Sequence, residues 1–291
     1  MACAPTENYM EIVLAKSAGF CFGVKRATKM AFQEAESGNP DTYTLGSIIH
    51  NPQVVDKLAS AGVSVKNDVE NINQGTVIIR SHGVTLDEID RARKKGLRIV
   101  DATCPFVKKA QDLTTLLREE GYFVVIVGDE EHPEVKSIIS YGGKDVIVVN
   151  SPEKLKTLPK KKKIGVVAQT TQSFDNLKAI VNECLGKVGE LRVFNTICGA
   201  TAIRQDQSRD IALEVDCMIV VGGYSSANTN RLAEICKSIQ PNTHHVEVAA
   251  ELDSAWFSGV KRVGVTAGAS TPEWIIDDVV KRIKEYGETQ S

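Results

Sequence analysis

Residues 97–129, LRIVDATCPFVKKAQDLTTLLREEGYFVVIVGD, decide the fold. A short apolar run, LRIVDAT, leads to Cys104. A run of helical periodicity follows and stops at Gly121, a residue suited to a helix C-terminus. A second apolar run, YFVVIVGD, closes the stretch. Its apolarity is continuous rather than alternating, which predicts a parallel strand buried on both faces. A helix of about 16 residues returns the chain about 24 Å, and a six-residue strand covers about 20 Å. The stretch therefore has the dimensions of one strand–helix–strand unit.

The pattern occurs three times. Cys21, Cys104 and Cys198 each follow a strand-like run and precede a helical one, 83 and 94 residues apart. The next glycine at a strand end lies 25, 24 and 24 residues on, at Gly46, Gly128 and Gly222. Polar clusters repeat with the cysteines. The second strand of each pass runs into His50-Asn51, His132-Pro133-Glu134 or Ser226-Ala227-Asn228. The third runs into Ser81-His82-Gly83, Gln169-Thr170-Thr171 or Gly268-Ala269-Ser270. Strand C-terminal ends are where open parallel sheets bind ligands, and repeats of this length set an architecture. The expectation is an α/β chain of three lobes related by a pseudo-threefold axis, with mainly parallel sheets and their functional edges facing a common centre. The lobes are expected at 1–97, 98–190 and 191–291.

Further strand candidates are EIVLAK, TVIIRS, DVIVVN, KIGVVAQ, ELRVFNT, CMIVVGG, HVEVAA and RVGVTAG. One helical face is expected to carry Phe174, Leu177, Ile180, Val181, Cys184, Leu185 and Val188. At the C-terminus, TPEWIIDDVVKRIKEYG offers Thr271 as N-cap and Pro272 at the first helical position. Pro159 and Lys160–Lys163 read as a solvated connection between a helix and a strand.

The 291 residues are 42% hydrophobic and 25% charged, an ordinary globular composition that excludes disorder and fibrous classes. Thirty-five basic against 37 acidic residues leave a net charge of −2, so no global basic field attracts nucleic acid. No apolar run reaches the ~18–20 residues of a membrane span, and the N-terminus lacks the basic and apolar regions of a secretory signal. A cytoplasmic protein is expected.

Seven cysteines, an odd count without a CxxC, do not make a disulfide framework in a reducing compartment. A buried cysteine is ordinarily a small hydrophobe. That reading suits Cys184 and Cys236 on apolar helical faces, Cys217 at a strand start, and Cys3 in the tail. Cys21, Cys104 and Cys198 share a position in the repeat, which singles them out as ligands. Structural zinc takes four ligands at paired short spacings, which are absent. An iron–sulfur cluster accepts thiolates from distant segments. Three cysteines leave one iron of a [4Fe–4S] cluster without a protein ligand, open to a substrate oxygen and able to pass single electrons.

His50, His82 and His132 are three of five histidines, and all three end strands. With Ser226, Asn228 and Ser270 they offer donors from every lobe, and helix N-termini add backbone N–H groups. A phosphate or diphosphate fits this set; no Walker A or GxGxxG marks a nucleotide site. Glu134 is the one carboxylate in such a cluster. It is either a first-turn acid of a helix or, in a desolvated pocket, a proton carrier. Thr170, at the matching third strand, can pass a hydrogen bond onward.

Taken together, GFCFGVKRA (19–27), HNPQVV (50–55), RSHGV (80–84), DATCPFVKK (101–109), HPEV (132–135), QTT (169–171), NTICGAT (195–201), SSANTNRL (225–232) and GAST (268–271) resemble the 4-hydroxy-3-methylbut-2-enyl diphosphate reductase family (IspH/LytB). The likeness runs in order along nearly the whole chain. It implies three α/β lobes around a central [4Fe–4S] cluster and the last step of the methylerythritol phosphate route to isoprenoids. In that step the allylic alcohol diphosphate is reductively dehydroxylated to isopentenyl and dimethylallyl diphosphates, with electrons from a ferredoxin or flavodoxin. The family's cluster ligands match Cys21, Cys104 and Cys198. Its diphosphate-binding groups match His50, His82, His132, Ser226, Asn228 and Ser270. Its proton-relay glutamate matches Glu134, with Thr170 and His132 beside it. The chain departs from the family pattern at Gly199, at Tyr224, Ser225 and Ala227, and at Lys136-Ser137 after HPEV. Two other readings of the same residues stay open: an iron–sulfur redox sensor, and a metal-free phosphate-binding protein.

Overall fold

The structure, a computed structural model, describes residues 10–39 and 41–289. Among the described residues the first element is β1 (Glu11–Leu14), from which the chain passes Cys21 into α1 (Phe22–Glu36), β2 (Thr42–Leu45), α2 (Pro52–Ser60), β3 (Val63–Lys66), β4 (Thr76–Ile79), α3 (Leu86–Lys94) and β5 (Arg98–Asp101). The second pass is α4 (Pro105–Glu119), β6 (Phe123–Val127), α5 (Pro133–Gly142), β7 (Val146–Val149), β8 (Lys161–Ala168), α6 (Phe174–Leu185) and β9 (Val188–Val193). The third is α7 (Gly199–Glu214), β10 (Cys217–Val221), α8 (Ala227–Ile239), β11 (Thr243–Val246), β12 (Arg262–Ala267) and α9 (Glu273–Thr289).

These strands make three four-stranded sheets, ordered β3-β2-β4-β5, β7-β6-β8-β9 and β11-β10-β12-β1. Every pairing is parallel. The same order three times is the repeat of the sequence made structural, and it gives three α/β lobes. The chain forms two compact units. Phe22–Gly199 carries the first two sheets; the segment through Cys21 and the chain from Ala200 onward carry the third.

The pairings cut the chain differently from 1–97, 98–190 and 191–291. β1 pairs with β12 in register Glu11↔Arg262 to Leu14↔Val265, so it completes the last sheet. β5 pairs with β4, and β9 with β8, each as an edge strand. The strand–helix–strand stretch through a cysteine is therefore not a crossover within one sheet. It links an edge strand to the first strand of the next lobe. Residues 97–129 show this: β5 lies in the first sheet and β6 in the second. Residue spacing fixes that a helix returns the chain, but not to which sheet.

Smaller differences have local causes. Lys161–Lys163 lie inside β8, where Lys163 meets Glu190 at 3.7 Å and Lys161 covers the Phe123 ring at 4.3 Å. HVEVAA is strand only to Val246, after which the chain turns away at an edge. On α6 only Leu177, Ile180 and Cys184 are buried; Phe174 and Leu185 are exposed, and Val188 opens β9. The Thr271 hydroxyl before α9 donates to the Val221 carbonyl at 2.9 Å. Cys184, Cys217 and Cys236 are buried, and burial pushes their thiols up to about 11, 12 and 12, which keeps them protonated filler. Cys3 lies outside the described residues.

The core explains the continuous apolar runs. In β6, Val125 and Val127 join Ile164, Val166, Leu177 and Ile180 on one face. Val124 and Ile126 join Ala110, Leu117, Val135 and Ile138 on the other. Helices cover both faces, so both parities of the strand must be apolar. Each buried Val, Leu or Ile side chain among them contributes about 2 kcal/mol by leaving water. Among the described residues, no helix is long and apolar enough to cross a membrane.

Candidate active site

In each sheet the chain order reverses between the two middle strands. His50 follows β2 and His82 follows β4; His132 follows β6 and Thr170 follows β8; Ser226 follows β10 and Ser270 follows β12. All six stand at the C-terminal ends flanking a switch point, where the two helices diverge and leave a crevice.

In the Phe22–Gly199 unit the three histidines converge. Ring centroids lie 4.3 Å apart for His50–His82, 5.3 Å for His50–His132 and 5.5 Å for His82–His132. Burial is the main cause that holds all three imidazoles neutral. It lowers His50 and His132 to about 4 and His82 well below its usual value. His132 caps α5, its Nδ1 accepting the Glu134 N–H at 3.2 Å, which puts its proton on Nε2. The His82 Nδ1 is buried without a hydrogen-bond partner. A neutral imidazole with an unpartnered buried nitrogen, beside two further neutral rings, suits an incoming anion.

The His82 loop is fixed by buried polar contacts. The Ser137 hydroxyl donates to the Val84 carbonyl at 2.9 Å, and the Gln111 amide donates to that hydroxyl at 2.6 Å. Gly83, at φ +72°, leaves room for both side chains; a Cβ there would stand 2.7 Å from each. Ser137 is one of the departures from the family pattern. Lys136, the other, pairs with Glu131 at 2.7 Å on the surface.

Glu134 is 2% exposed. It accepts the Thr170 N–H at 2.6 Å and the Thr170 hydroxyl at 2.9 Å. Those hydrogen bonds favour the carboxylate, but burial outweighs them and raises Glu134 to about 7. At neutral pH the group can carry a proton and release it.

The cysteines share one backbone device. Cys104 N–H donates to the Ser81 carbonyl at 2.9 Å, Cys198 N–H to Thr170 at 2.9 Å, and Cys21 N–H to Ala269 at 3.1 Å. Each acceptor belongs to the polar turn after the neighbouring strand, so every cysteine is tied to the turn that carries a candidate ligand-binding residue. Cys104 stands at the N-cap of α4, its thiol making no capping hydrogen bond. A Cβ on Gly23 would lie 2.4 Å from the Cys104 sulfur, so the absence of a side chain there makes the thiol's seat. A soft thiolate at a helix N-terminus fits a metal–sulfur ligand.

In the other unit, Ser226 caps α8 by accepting the Thr229 N–H at 3.3 Å, and the Ser270 hydroxyl lies 3.4 Å from it. Asn228 is 5% exposed, and neither its amide nitrogen nor its oxygen has a hydrogen-bond partner. An orphaned buried amide costs stability unless a ligand completes it. Tyr224 points outward: its N–H donates to Glu247 and its hydroxyl to Glu251, both at 2.7 Å. No heavy atom stands within 4 Å of the place a Gly199 Cβ would take.

Arg80 escaped the sequence reading. Its Nε donates to the Gly83 carbonyl at 3.1 Å, and its charge adds to the lowering of all three histidines. A Cβ on Gly46 (φ +71°) would lie 2.3 Å from its Nη1. The signal was the pair Gly46 and Arg80, which only the folded chain brings together.

The structure thus defines an α/β protein with three parallel sheets and His, Glu, Ser, Asn and Cys clusters at their switch points. Residues 12–284 match the family model described as LytB protein, and the chain belongs to that family. It is 62% identical over 277 residues to 4-hydroxy-3-methylbut-2-enyl diphosphate reductase of Geobacter sulfurreducens, covering 95% of this chain and 98% of the relative. It is 63% identical over 279 residues to the enzyme of that name from Pelobacter propionicus, covering 96% and 99%. A solved structure of (E)-4-hydroxy-3-methyl-but-2-enyl diphosphate reductase, described as the terminal enzyme of the non-mevalonate pathway, matches at 48% identity. Its TM-score is 0.70, over 95% of this chain and 99% of the other. The Plasmodium falciparum reductase matches at 27% identity and TM-score 0.89, over 94% and 87%.

Proposed function

We propose that this chain reduces 4-hydroxy-3-methylbut-2-enyl diphosphate to isopentenyl and dimethylallyl diphosphates, the last step of the methylerythritol phosphate pathway, in the cytoplasm. The observation that carries the reading is Glu134, raised to about 7 and held by Thr170, in the unit where three neutral histidines converge. The reaction breaks one C–O bond, consumes two electrons and two protons, and releases water.

Cys21, Cys104 and Cys198 would hold a [4Fe–4S] cluster with one iron lacking a protein ligand. When bound, that group supplies single electrons and a Lewis-acidic site for oxygen. The chain's own residues do the rest. His50, His82 and His132 donate to the diphosphate oxygens, together with Ser226, Asn228 and Ser270. Glu134 gives its proton to the departing hydroxyl oxygen, so water leaves rather than hydroxide. The Thr170 hydroxyl orients that carboxyl, and His132 holds the first turn of α5 through the Glu134 N–H.

The test is turnover. Anaerobic reconstitution with iron and sulfide is followed by oxidation of reduced methyl viologen on adding the substrate. Rapid, substrate-dependent oxidation is expected. A protein carrying about four irons per chain that oxidises no viologen would remove the reductase reading.

A further inference from the structure

His82 is gripped by the chain on either side of it. One residue before, the Ser81 carbonyl accepts the Cys104 N–H at 2.9 Å, from the start of α4. Two residues after, the Val84 carbonyl accepts the Ser137 hydroxyl at 2.9 Å, from the second turn of α5. A third contact follows at Leu86, whose N–H donates to the Ser140 hydroxyl at 3.2 Å. Within the turn, the Gly83 N–H donates to the Arg80 carbonyl at 3.0 Å.

The α5 contacts cross between two sheets. His82 follows β4 of the first sheet, while α5 follows β6 of the second. The helix is seated by Val135 and Ile138, both fully buried in one core with Val124 and Ile126 of β6. It is the fixed member of the pair, and the turn at 80–84 is the held one. Ser137 is 0% exposed, and its hydroxyl is used twice. It donates to Val84 and accepts the Gln111 amide at 2.6 Å. The Gln111 contact occupies a lone pair and leaves the hydroxyl hydrogen for Val84. Glu134 stands three residues before Ser137, on the same side of α5. One helix thus presents a proton carrier at its first turn and holds the loop of an anion-binding histidine at its second.

We propose that Ser137 is a positioning residue of the diphosphate site, fixing the turn that aims the His82 ring through a buried hydrogen bond to Val84 that Gln111 orients. The inference rests on the reductase reading for what the histidines bind. An imidazole adds to anion affinity only while it is held at hydrogen-bond distance and angle. A turn that spends part of its time elsewhere lowers the apparent affinity by that fraction. Removing the Ser137 hydroxyl leaves the Val84 carbonyl and the Gln111 amide buried without their partner, and the turn must shift to satisfy them. The helix need not shift, because Val135 and Ile138 keep their apolar seat. The signature is therefore a loss of anion binding with the Glu134 proton step left in place.

The experiment uses the iron-loaded full chain and inorganic pyrophosphate as probe. Calorimetry gives Kd, and viologen turnover across pH gives KM and kcat. Ser137→Ala is expected to raise Kd and KM about tenfold, the scale of one lost buried hydrogen bond, with the pH limb of kcat unmoved. Ser140→Ala removes the Leu86 contact from a half-buried position and should raise both by a smaller factor. It carries the test if thermal melting shows that Ser137→Ala does not fold. Lys136→Ala, at an exposed position of the same helix, should match the wild type. The deciding comparison removes the ring itself. In a His82→Ala chain, adding Ser137→Ala should change Kd by less than about twofold, because the two residues act as one unit. Wild-type Kd and KM in Ser137→Ala and Ser140→Ala overturn the proposal, as does a Ser137→Ala loss equally large with and without His82. A kcat limb displaced in Ser137→Ala overturns it too, since the helix and Glu134 would then have moved. Pyrophosphate binding weakened by Ser137→Ala in a protein that oxidises no viologen would instead fault the reductase reading and leave the positioning role standing.

Discussion

Thr170 holds Glu134 at both oxygens, its N–H at 2.6 Å and its hydroxyl at 2.9 Å. The Thr170 carbonyl accepts the Cys198 N–H at 2.9 Å. One residue at the end of β8 therefore positions both a proton carrier and a proposed cluster ligand. When Glu134 takes a proton, one of its oxygens becomes a donor. The threonine hydroxyl can then turn to accept from it and donate onward.

Glu134→Gln keeps the shape and the contact from the Thr170 N–H, while its amide NH2 must donate to the Thr170 hydroxyl instead of accepting from it, and it cannot release a proton. Turnover is expected to fall about 10²–10⁴-fold, as for loss of a positioned acid. Iron content and diphosphate affinity should stay near those of the wild type. Near-normal kcat would remove Glu134 from the proton path.

Thr170→Val deletes a hydrogen bond that lowers Glu134, so the carboxyl should rise further above about 7. The wild-type rate falls as pH climbs through the value for Glu134, because the protonated form is the donor. In Thr170→Val that limb should move to higher pH, with kcat down about tenfold. Thr170→Ser should restore both. A pH–kcat profile of the three proteins is the measurement, and an unmoved limb in the valine variant would break the link.

The sequence made some of this plain. β6, β8, β10 and β12 are continuous apolar runs because helices cover both their faces, and the histidine, glutamate and cysteine positions recur after strands. β2 entered the reading only as a strand end at Gly46, and β3 not at all. Thr42-Tyr43-Thr44-Leu45 and Val63-Ser64-Val65-Lys66 are short and half polar, and pairing through β2 to β4 defines them more than their own pattern does. The destination of β1, β5 and β9 was hidden for another reason. An edge strand can close either of two lobes at the same residue spacing. Arg80 was hidden because its site depends on Gly46, 34 positions away.

Gly23→Ala tests the seat of Cys104. The new methyl would lie 2.4 Å from the sulfur, well inside van der Waals contact, and the thiol must move. Reconstituted iron should fall sharply, as it should in Cys104→Ser. Circular dichroism should show the fold retained, because Gly23 lies in the first turn of α1 and the added carbon meets only Cys104 atoms within 4 Å. Full iron loading in both variants would take Cys104 out of the ligand set.

The histidines set the sign of a proton count. Ligand-free, His50 and His132 titrate near 4 instead of 6.5, with His82 lowered as well. The folded chain then binds fewer protons here than the unfolded chain between about 4 and 6.5, so these groups remove stability as pH drops through that window. Glu134, raised from 4.5 to about 7, acts the opposite way, and three imidazoles outnumber one carboxyl. Melting temperature should therefore fall between pH 6.5 and 4.5. Pyrophosphate reverses the balance at the site. Its negative charge favours imidazolium and pulls the histidines back up. Binding at pH 6 should take up about one proton or more from solution. Titration calorimetry in two buffers of different ionisation enthalpy reads that number directly. His82→Asn should bind more weakly and take up fewer protons. Proton release on binding, or uptake unchanged in His82→Asn, would mean that the anion does not sit against these three rings.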